Sequence, residues 1–579
     1  MMSSPISSPG KPPSPCSAQS SPAHWFEHEI FRPRITNSII RHALLTAFLI
    51  LVCHAFFNAA LLLHPLTWMS TTLGGLFGPS SWLYLALVLG STVLLGWLVH
   101  RHVSTVPFVP QSALSVLWGV VEVPVLLSLG AHLTLGALLT RSLMGIWGGS
   151  YGVLTQPCLD GSEFRCIDES HILLVQSGAF MGGFLWFGFH FRNGNLLHFP
   201  PIRQHGSSQL RSRLAGIFQA SFIEVILNMR WFCFFYIVYG HRLAVTVSQL
   251  SRLSLLNGEE SVFRYLWHQM VVLAHAIFLD TFVVAAIKLG IEIHNISLMK
   301  PVMFPVDPNQ APSLVTAMKS KNPSLMKYLA YMDFKNLSTF KSARRQQLFE
   351  LSQPGGHPRK WTQVSQACVS EIEEFMGTLQ NAAQVVSSSA TNAQTKESVA
   401  PISSNLRYRF HGGGADNKES KANGVGVSSD KSLKKITNLW DKLVQRFSKN
   451  KLFTANPELS LRNAFAQCQI VIWAIEGLSQ MIAASVLEDD FGVVQRNLSE
   501  ILTLLLNLQQ TVERYKGLSV SCKQAPANKI RDIQLKQELR SAVKTSIYRI
   551  TNAFGSHVSA ISVPAEFQQK LDNYTRFQE

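Results

Sequence analysis

The 579-residue sequence holds little that a catalytic or metal-binding protein would need. Its eight cysteines are scattered and none forms a C-x-x-C pair, which argues against a zinc ribbon or a thiol redox centre. There is no G-x-x-x-x-G-K-[ST] run, so no loop of that kind cradles a nucleotide phosphate. Alternating apolar and polar runs with hairpin turns are absent, which sets sheet folds aside. Residues 1–28 are rich in Ser and Pro and lack an apolar core; a disordered tail is expected there and not a cleavable signal peptide. Acidic residues are the scarcer charge, 35 against 51 Lys and Arg, for a formal charge of +16. That surplus suits an anionic membrane face or nucleic acid. Without zinc-finger spacing or another nucleic-acid motif, the membrane face is favoured and direct nucleic-acid contact is not expected. No catalytic, cofactor-binding or metal-ligating residue can be named on physical grounds, and no enzyme activity is expected.

Long hydrophobic runs are what the sequence does have. The mean hydropathy of +0.15 averages an apolar first half and a polar second half. Six runs, at 43–63, 81–99, 113–139, 171–191, 214–239 and 265–287, each approach the ~20 apolar residues that a helix needs to cross a bilayer. Helices are the default there, because lipid offers no partner to a free backbone N–H or C=O. Arg32, Arg34 and Arg41 precede the first run and favour a cytoplasmic N-terminus. An even number of crossings returns the C-terminal half to the same side. The loop 192–213 agrees, with Arg192, Arg203, Arg211 and Arg213, as does 64–80, with no Lys or Arg; Arg242, Arg252 and Arg264 in 240–264 oppose it. The sequons at Asn295, Asn336, Asn497 and Asn573 then fall on the cytoplasmic side, where no N-glycan is expected.

Four ionisable residues, Glu122, Glu224, Arg230 and Asp280, lie within these runs. Each costs at least ~2.5 kcal/mol at a helix centre and is expected to face protein or water. Interhelical pairing, for example of Glu224 or Asp280 with Arg230, is favoured over a transport path, and a transporter or channel is the alternative function. His275 and Asp280 have the H-x-x-x-x-D spacing of membrane acyltransferases, but positions five apart on a helix diverge by ~140°, so the match reads as coincidence. Cys158 and Cys166 share the loop between the third and fourth runs; a small disulfide is expected if that loop is lumenal, with two free thiols the alternative.

The rest reads as helical: a segment 294–382, a flexible linker 383–431, a helix at 432–450 and a bundle over 451–579, after the tail and basic pre-membrane segment 1–42 and the membrane domain 43–293. In 432–450, Leu433, Ile436, Leu439, Trp440, Leu443, Val444 and Phe447 recur at helical spacing among Lys434, Lys435, Lys442 and Arg446. Such a basic amphipathic helix suits a bilayer surface or a partner's groove, and also an ordinary bundle. The apolar run 464–487 is interrupted by Gln467, Gln469, Glu476 and Gln480 and reads as a buried helix, not a seventh crossing. The fold class is therefore all-α: a polytopic membrane protein with six transmembrane helices followed by a cytoplasmic or pore-facing helical region.

Several blocks carry a resemblance. They are Lys327-Tyr-Leu-Ala330, Ser342-Ala-Arg-Arg-Gln-Gln-Leu-Phe-Glu-Leu-Ser-Gln-Pro-Gly-Gly-His-Pro358 with Trp361-Thr362, Ser177-Gly-Ala-Phe-Met-Gly182, Phe222-Ile-Glu-Val225 and Ile547-Tyr-Arg-Ile-Thr-Asn-Ala-Phe-Gly555. Taken in their order along the chain, they resemble the vertebrate nuclear division cycle family of transmembrane nucleoporins; the central linker departs most from it. The resemblance implies six crossings in the pore membrane of the nuclear envelope, with both termini on the cytoplasmic, pore-facing side. It implies no enzymatic activity, a role in anchoring and assembling the nuclear pore complex, and recruitment of soluble and membrane-associated nucleoporins, the WD-repeat protein ALADIN included, by the C-terminal half.

Overall fold

The computed structural model describes residues 21–57, 73, 78–106, 118–147, 155–157, 165–192, 195–197, 199, 205–251, 254–255, 262–310, 312–322, 324–351, 355–397, 457–514 and 527–578. After helical turns at Pro22–Trp25 and Phe26–Phe31 come α1 (Arg32–Phe57), α2 (Pro79–His102), α3 (Val123–Trp147), α4 (Glu169–Phe191), α5 (Gly206–Phe235), a π-helical turn Tyr236–Gly240, α6 (His241–Ser251) and α7 (Val262–Leu298). The C-terminal half holds α8 (Leu314–Met318), α9 (Ser324–Phe340), α10 (Ser342–Phe349), α11 (Arg359–Glu397), α12 (Pro457–Ala466), α13 (Gln469–Glu488), α14 (Gln495–Arg514), α15 (Ala527–Phe554) and α16 (Ala565–Thr575).

Six described helical segments are long and apolar enough to cross a membrane: Ser81–His102, Val123–Ile146, Glu169–Phe191, Gly206–Gly240, Met270–Leu298 and Gln469–Glu488. Five lie on the expected second to sixth crossings. The expected first crossing is helical up to Phe57, beyond which it leaves the described residues. The sixth segment, α13, is the most enclosed of the six, with 67% of its apolar window buried. It packs on α9, α11 and α15, with Ile470, Trp473, Ile475, Leu478 and Ile482 in the C-terminal core. Neighbouring helices, not lipid, thus cover its apolar surface. The membrane helices do the reverse. Leu44, Phe48, Trp82, Leu83 and Leu127 are exposed outward, an apolar area that water would not tolerate, while Val88, Leu95, Leu135, Leu174, Val225 and Val283 pack inward.

Two boundaries differ from the hydropathy reading. The long helix of the third crossing is described from Val123, with Pro124 in its first turn, where a proline ring is tolerated. Glu122 is an exposed bend between it and the helical residues 118–121, and its carbonyl accepts from Val125 and Leu126. The last crossing continues past Ile287 to Leu298, because its extra charges are matched on α5: Lys288 pairs with Glu224, and Glu292 with Arg213. α7 is the central element, touching α1, α2, α3, α4 and α5.

Two further expectations change. A small sheet is present: β1 (Thr155–Pro157) pairs antiparallel with β2 (Arg165–Ile167), which pairs in parallel with β3 (Ser254–Leu255). Strands of two or three residues carry too little alternation to be read, and β3 comes from a distant loop. Helix α11 also runs on to Glu397, into the stretch expected as linker from 383, because no Gly or Pro interrupts 378–400. Residues 398–456 lie outside the described residues, the expected amphipathic helix with them.

Candidate functional site

The feature that sets this chain apart is where the membrane bundle meets the C-terminal helices. One apolar core contains Phe26, Phe31 and Ile35 before and at the start of α1, Leu197 after α4, Leu298 at the end of α7, and then residues of every C-terminal helix as far as Tyr574. The junction is therefore packed, and is not a tether.

Arg34 fastens its near side. Its Nη1 donates to the carbonyls of Leu298 (2.9 Å) and Lys300 (2.7 Å), and its Nη2 to that of Pro301 (3.2 Å). A helix ends with unsatisfied carbonyls and a partial negative charge, so a guanidinium fork is suited to close it. Burial lowers this guanidinium from its ordinary range to about 10, and it stays charged at neutral pH. Ser297 returns a hydrogen bond to the Arg34 carbonyl at 3.0 Å.

Asp333 on α9 and Arg344 on α10 hold the extended connector that follows. Arg344 donates to both carboxylate oxygens, each at 2.9 Å, and to the Phe304 carbonyl at 2.6 Å, while the Phe304 N–H donates to Asp333 Oδ2 at 2.9 Å. Both edges of Phe304 are thus fixed by one buried ion pair, and its ring lies 6.3 Å from that of Trp25. The adjacent Arg345 makes a second fork, to Glu488 at 3.0 and 2.6 Å, joining α10 to the end of α13; those bonds hold its guanidinium above its ordinary range. On the other side, Phe199 from the α4–α5 loop meets Trp473 edge-on at 5.2 Å and stacks on Tyr328 at 5.8 Å, and Thr105 after α2 donates to Ser324 at 3.0 Å. Within the bundle, Tyr331 donates to the Ala367 carbonyl at 3.1 Å. Burial pushes its phenol, and the enclosed Cys368 thiol, well up.

The sequence-predicted polar residues are scattered. Glu224 pairs with Lys288, not with Arg230. Glu224 and Arg230 share α5, and six residues put them ~120° apart around it. Arg230 is exposed, its guanidinium 5.9 Å from the Trp231 ring. Asp280 is fully buried and accepts from Ser177 at 3.3 Å, while His275 is half-buried. Cys166 is disulfide-bonded; Cys158 lies outside the described residues, although its neighbour Pro157 pairs with Arg165. Leu433, Ile436, Leu439, Trp440, Leu443 and Phe447 also lie outside them. Among the described residues no group of three or more His, Cys, Asp and Glu could hold a metal ion.

Sequence reasoning missed Asp333, Phe199 and Trp473, and took Arg34 only for an orientation signal. Only the paired arginines 344 and 345 stood in a noticed block. Another such block, Ser177–Gly182, is explained by packing. Gly178 and Gly182 are four apart and face Gly136 and His132 on α3, so closely that a Cβ on Gly182 would stand 2.2 Å from the His132 carbonyl oxygen. This is the small-residue helix contact of membrane proteins.

The geometry defines a class first: a polytopic helical membrane protein whose C-terminal bundle is built directly onto one end of its membrane helices as a fixed scaffold. The comparisons then give the family. The sequence matches "Nucleoporin protein Ndc1-Nup" over residues 30–572, and the chain belongs to that family. It is 27% identical to Nucleoporin NDC1 of Pongo abelii and 26% to that of Homo sapiens, in each case across 98% of this chain and 99% of the relative. Nucleoporin ndc-1 of Caenorhabditis elegans is 29% identical over 49% of this chain and 48% of its own length. The chain is a nucleoporin, a structural membrane component of the nuclear pore and not an enzyme.

Proposed function

We propose that this chain anchors the nuclear pore complex in the nuclear envelope, recruits soluble nucleoporins through its C-terminal half, and so supports pore assembly. The observation that carries the reading is the continuous core from Phe26 to Tyr574. A surface fused to membrane helices holds whatever binds it near the bilayer, and several weak contacts on one anchor raise one another's effective concentration. By family resemblance, ALADIN and membrane-associated linker nucleoporins are among the partners. Both termini lie on the pore-facing side. The 432–450 helix adds a bilayer or partner contact, the Cys158–Cys166 disulfide braces the opposite loop, and the buried polar residues of the crossings act in packing.

The test is replacement in cells depleted of the resident protein, followed by super-resolution imaging and capture of bound nucleoporins. The full chain should sit at the pore rim, restore pore density and retain soluble nucleoporins. A variant with Arg344→Glu and Arg345→Glu should reach the envelope and lose them. Normal pore density and nucleoporin recruitment without the chain would reject the anchoring role.

A further inference from the structure

Three cations, Arg34, Arg41 and Lys300, gather where α1 enters the membrane beside the end of α7. The two helices run antiparallel here. Ser38 meets His294, and His42 reaches the Ala286 carbonyl at 3.0 Å. Arg34 then lies level with Leu298 and holds the backbone of Lys300. At ~100° per residue, Arg34, Asn37, Arg41, Leu44 and Phe48 fall within one ~80° sector of α1. This face is polar towards the C-terminal bundle and apolar towards the bilayer. Leu44 and Phe48 are 68% and 57% exposed, on the outward surface that lipid covers. Arg41 stands next to them, exposed, and Asn37 and Lys300 are exposed beyond it.

Several nearby cations are matched by protein. Lys288 has Glu224, Arg213 has Glu292, and Arg32 has Glu27, while Arg34 is spent on three carbonyls. Among the described residues, neither the Arg41 guanidinium nor the Lys300 ammonium has a carboxylate or another acceptor. Desolvation lowers the Lys300 ammonium first, followed by the charges of Arg41 and Arg34. The three groups thus share one positive field, close enough to repel, at the level where the apolar face of α1 gives way to polar residues. An anion seated between Arg41 and Lys300 relieves that repulsion.

We infer that Arg41 and Lys300 bind the phosphate of an anionic phospholipid, in the leaflet nearer the C-terminal bundle. Asn37 supplies a neutral amide donor, and an acyl chain lies along Leu44 and Phe48. The choice of a lipid over a soluble phosphate rests on that apolar face, which runs from the cations directly into the bilayer. The bound lipid ties the connector after α7 to the first crossing from outside, beside the protein bonds that Arg34 already makes.

Native mass spectrometry of the full chain in detergent tests this. Phosphatidic acid and phosphatidylcholine with the same acyl chains are titrated separately, and glycerol 3-phosphate serves as the headgroup without chains. With about fivefold from each cation, one phosphatidic acid should bind at roughly twenty-five-fold lower concentration than phosphatidylcholine. Arg41→Gln and Lys300→Gln should each weaken it about fivefold, and together bring it to the phosphatidylcholine level. Arg41→Lys combined with Lys300→Arg keeps both charges and should bind as the unchanged chain does. Equal binding of the two lipids by the unchanged chain would overturn the proposal, and that comparison needs no variant. So would full binding by the double glutamine variant. Glycerol 3-phosphate binding as tightly as phosphatidic acid would also overturn it, since a soluble phosphate would then be the ligand.

Discussion

Adding one methyl group at Gly182 should loosen the membrane bundle, whereas the same change six residues later should not. A Cβ on Gly182 meets the carbonyl oxygen of His132 at 2.2 Å, and that oxygen belongs to a helix backbone that cannot rotate away. Ordinary contact needs ~3.5 Å, so α3 and α4 must part by about 1 Å or more. Forced packing of this kind costs about 1–3 kcal/mol. Gly188 lies on the same helix with nothing within 4 Å of its would-be Cβ; Gly188→Ala should gain up to about 1 kcal/mol of helix propensity. At ~2–4 °C per kcal/mol for a unit of some 150–250 residues, the two variants should separate by several degrees. The assay is thermal unfolding of the purified full chain in detergent, followed by fluorescence-detected gel filtration. Gly182→Ala melting at or above Gly188→Ala would refute the argument that this crossing is set by backbone contact.

Four other outcomes follow. Arg344→Met should cost about 3 kcal/mol or more, since it strands the buried Asp333 carboxylate, while adding Asp333→Leu should recover part of the loss in a double-mutant cycle of denaturant unfolding. Arg34→Lys should act nearly like Arg34→Ala, because an ammonium cannot span three carbonyls; limited proteolysis should cut near residues 300–305 faster in both. The folded-state pKa of Cys368 and of Tyr331 is raised above 9.0 and 10.0, so the unfolded chain loses those protons first. Their contribution is full below about pH 9 and falls as pH rises further, and melting curves from pH 8 to 11 should show Cys368→Ala removing the earlier part of that fall. Digestion without reductant should yield a peptide containing Cys166 joined to one containing Cys158, and mass spectrometry after reduction should separate the two.

Much of the fold was legible because lipid enforces one simple rule. A run of some twenty apolar residues with few interrupting polar ones announces a crossing, so the runs from 81 to 287 appeared in the sequence with only their ends displaced, while the glutamine-interrupted α13 did not pass for one. The displaced ends show what composition cannot weigh. Pro124 sits in the first turn of one long helix, where its ring is tolerated, and Lys288 and Glu292 extended α7 because partners wait on α5. The junction was far less legible. Arg34 was noticed as a charge before a crossing, yet its work depends on three carbonyls more than 260 residues away. Asp333 and Phe199 have no local pattern at all, because their partners come from other helices.

The core shared by both halves also sets an order on the protein's birth. Phe26 must find Phe304 and its neighbours, and these are made 278 residues later. At about 5–20 residues per second of synthesis, the N-terminal segment waits roughly a quarter of a minute to a minute with its aromatic face uncovered. Meanwhile each crossing is handed to the membrane in turn. Leu571 and Tyr574 join the same core only after a further 267 residues beyond Phe304. Truncated products would therefore be left with an open apolar surface at the membrane, a mark by which a quality-control system can tell an unfinished chain from a finished one.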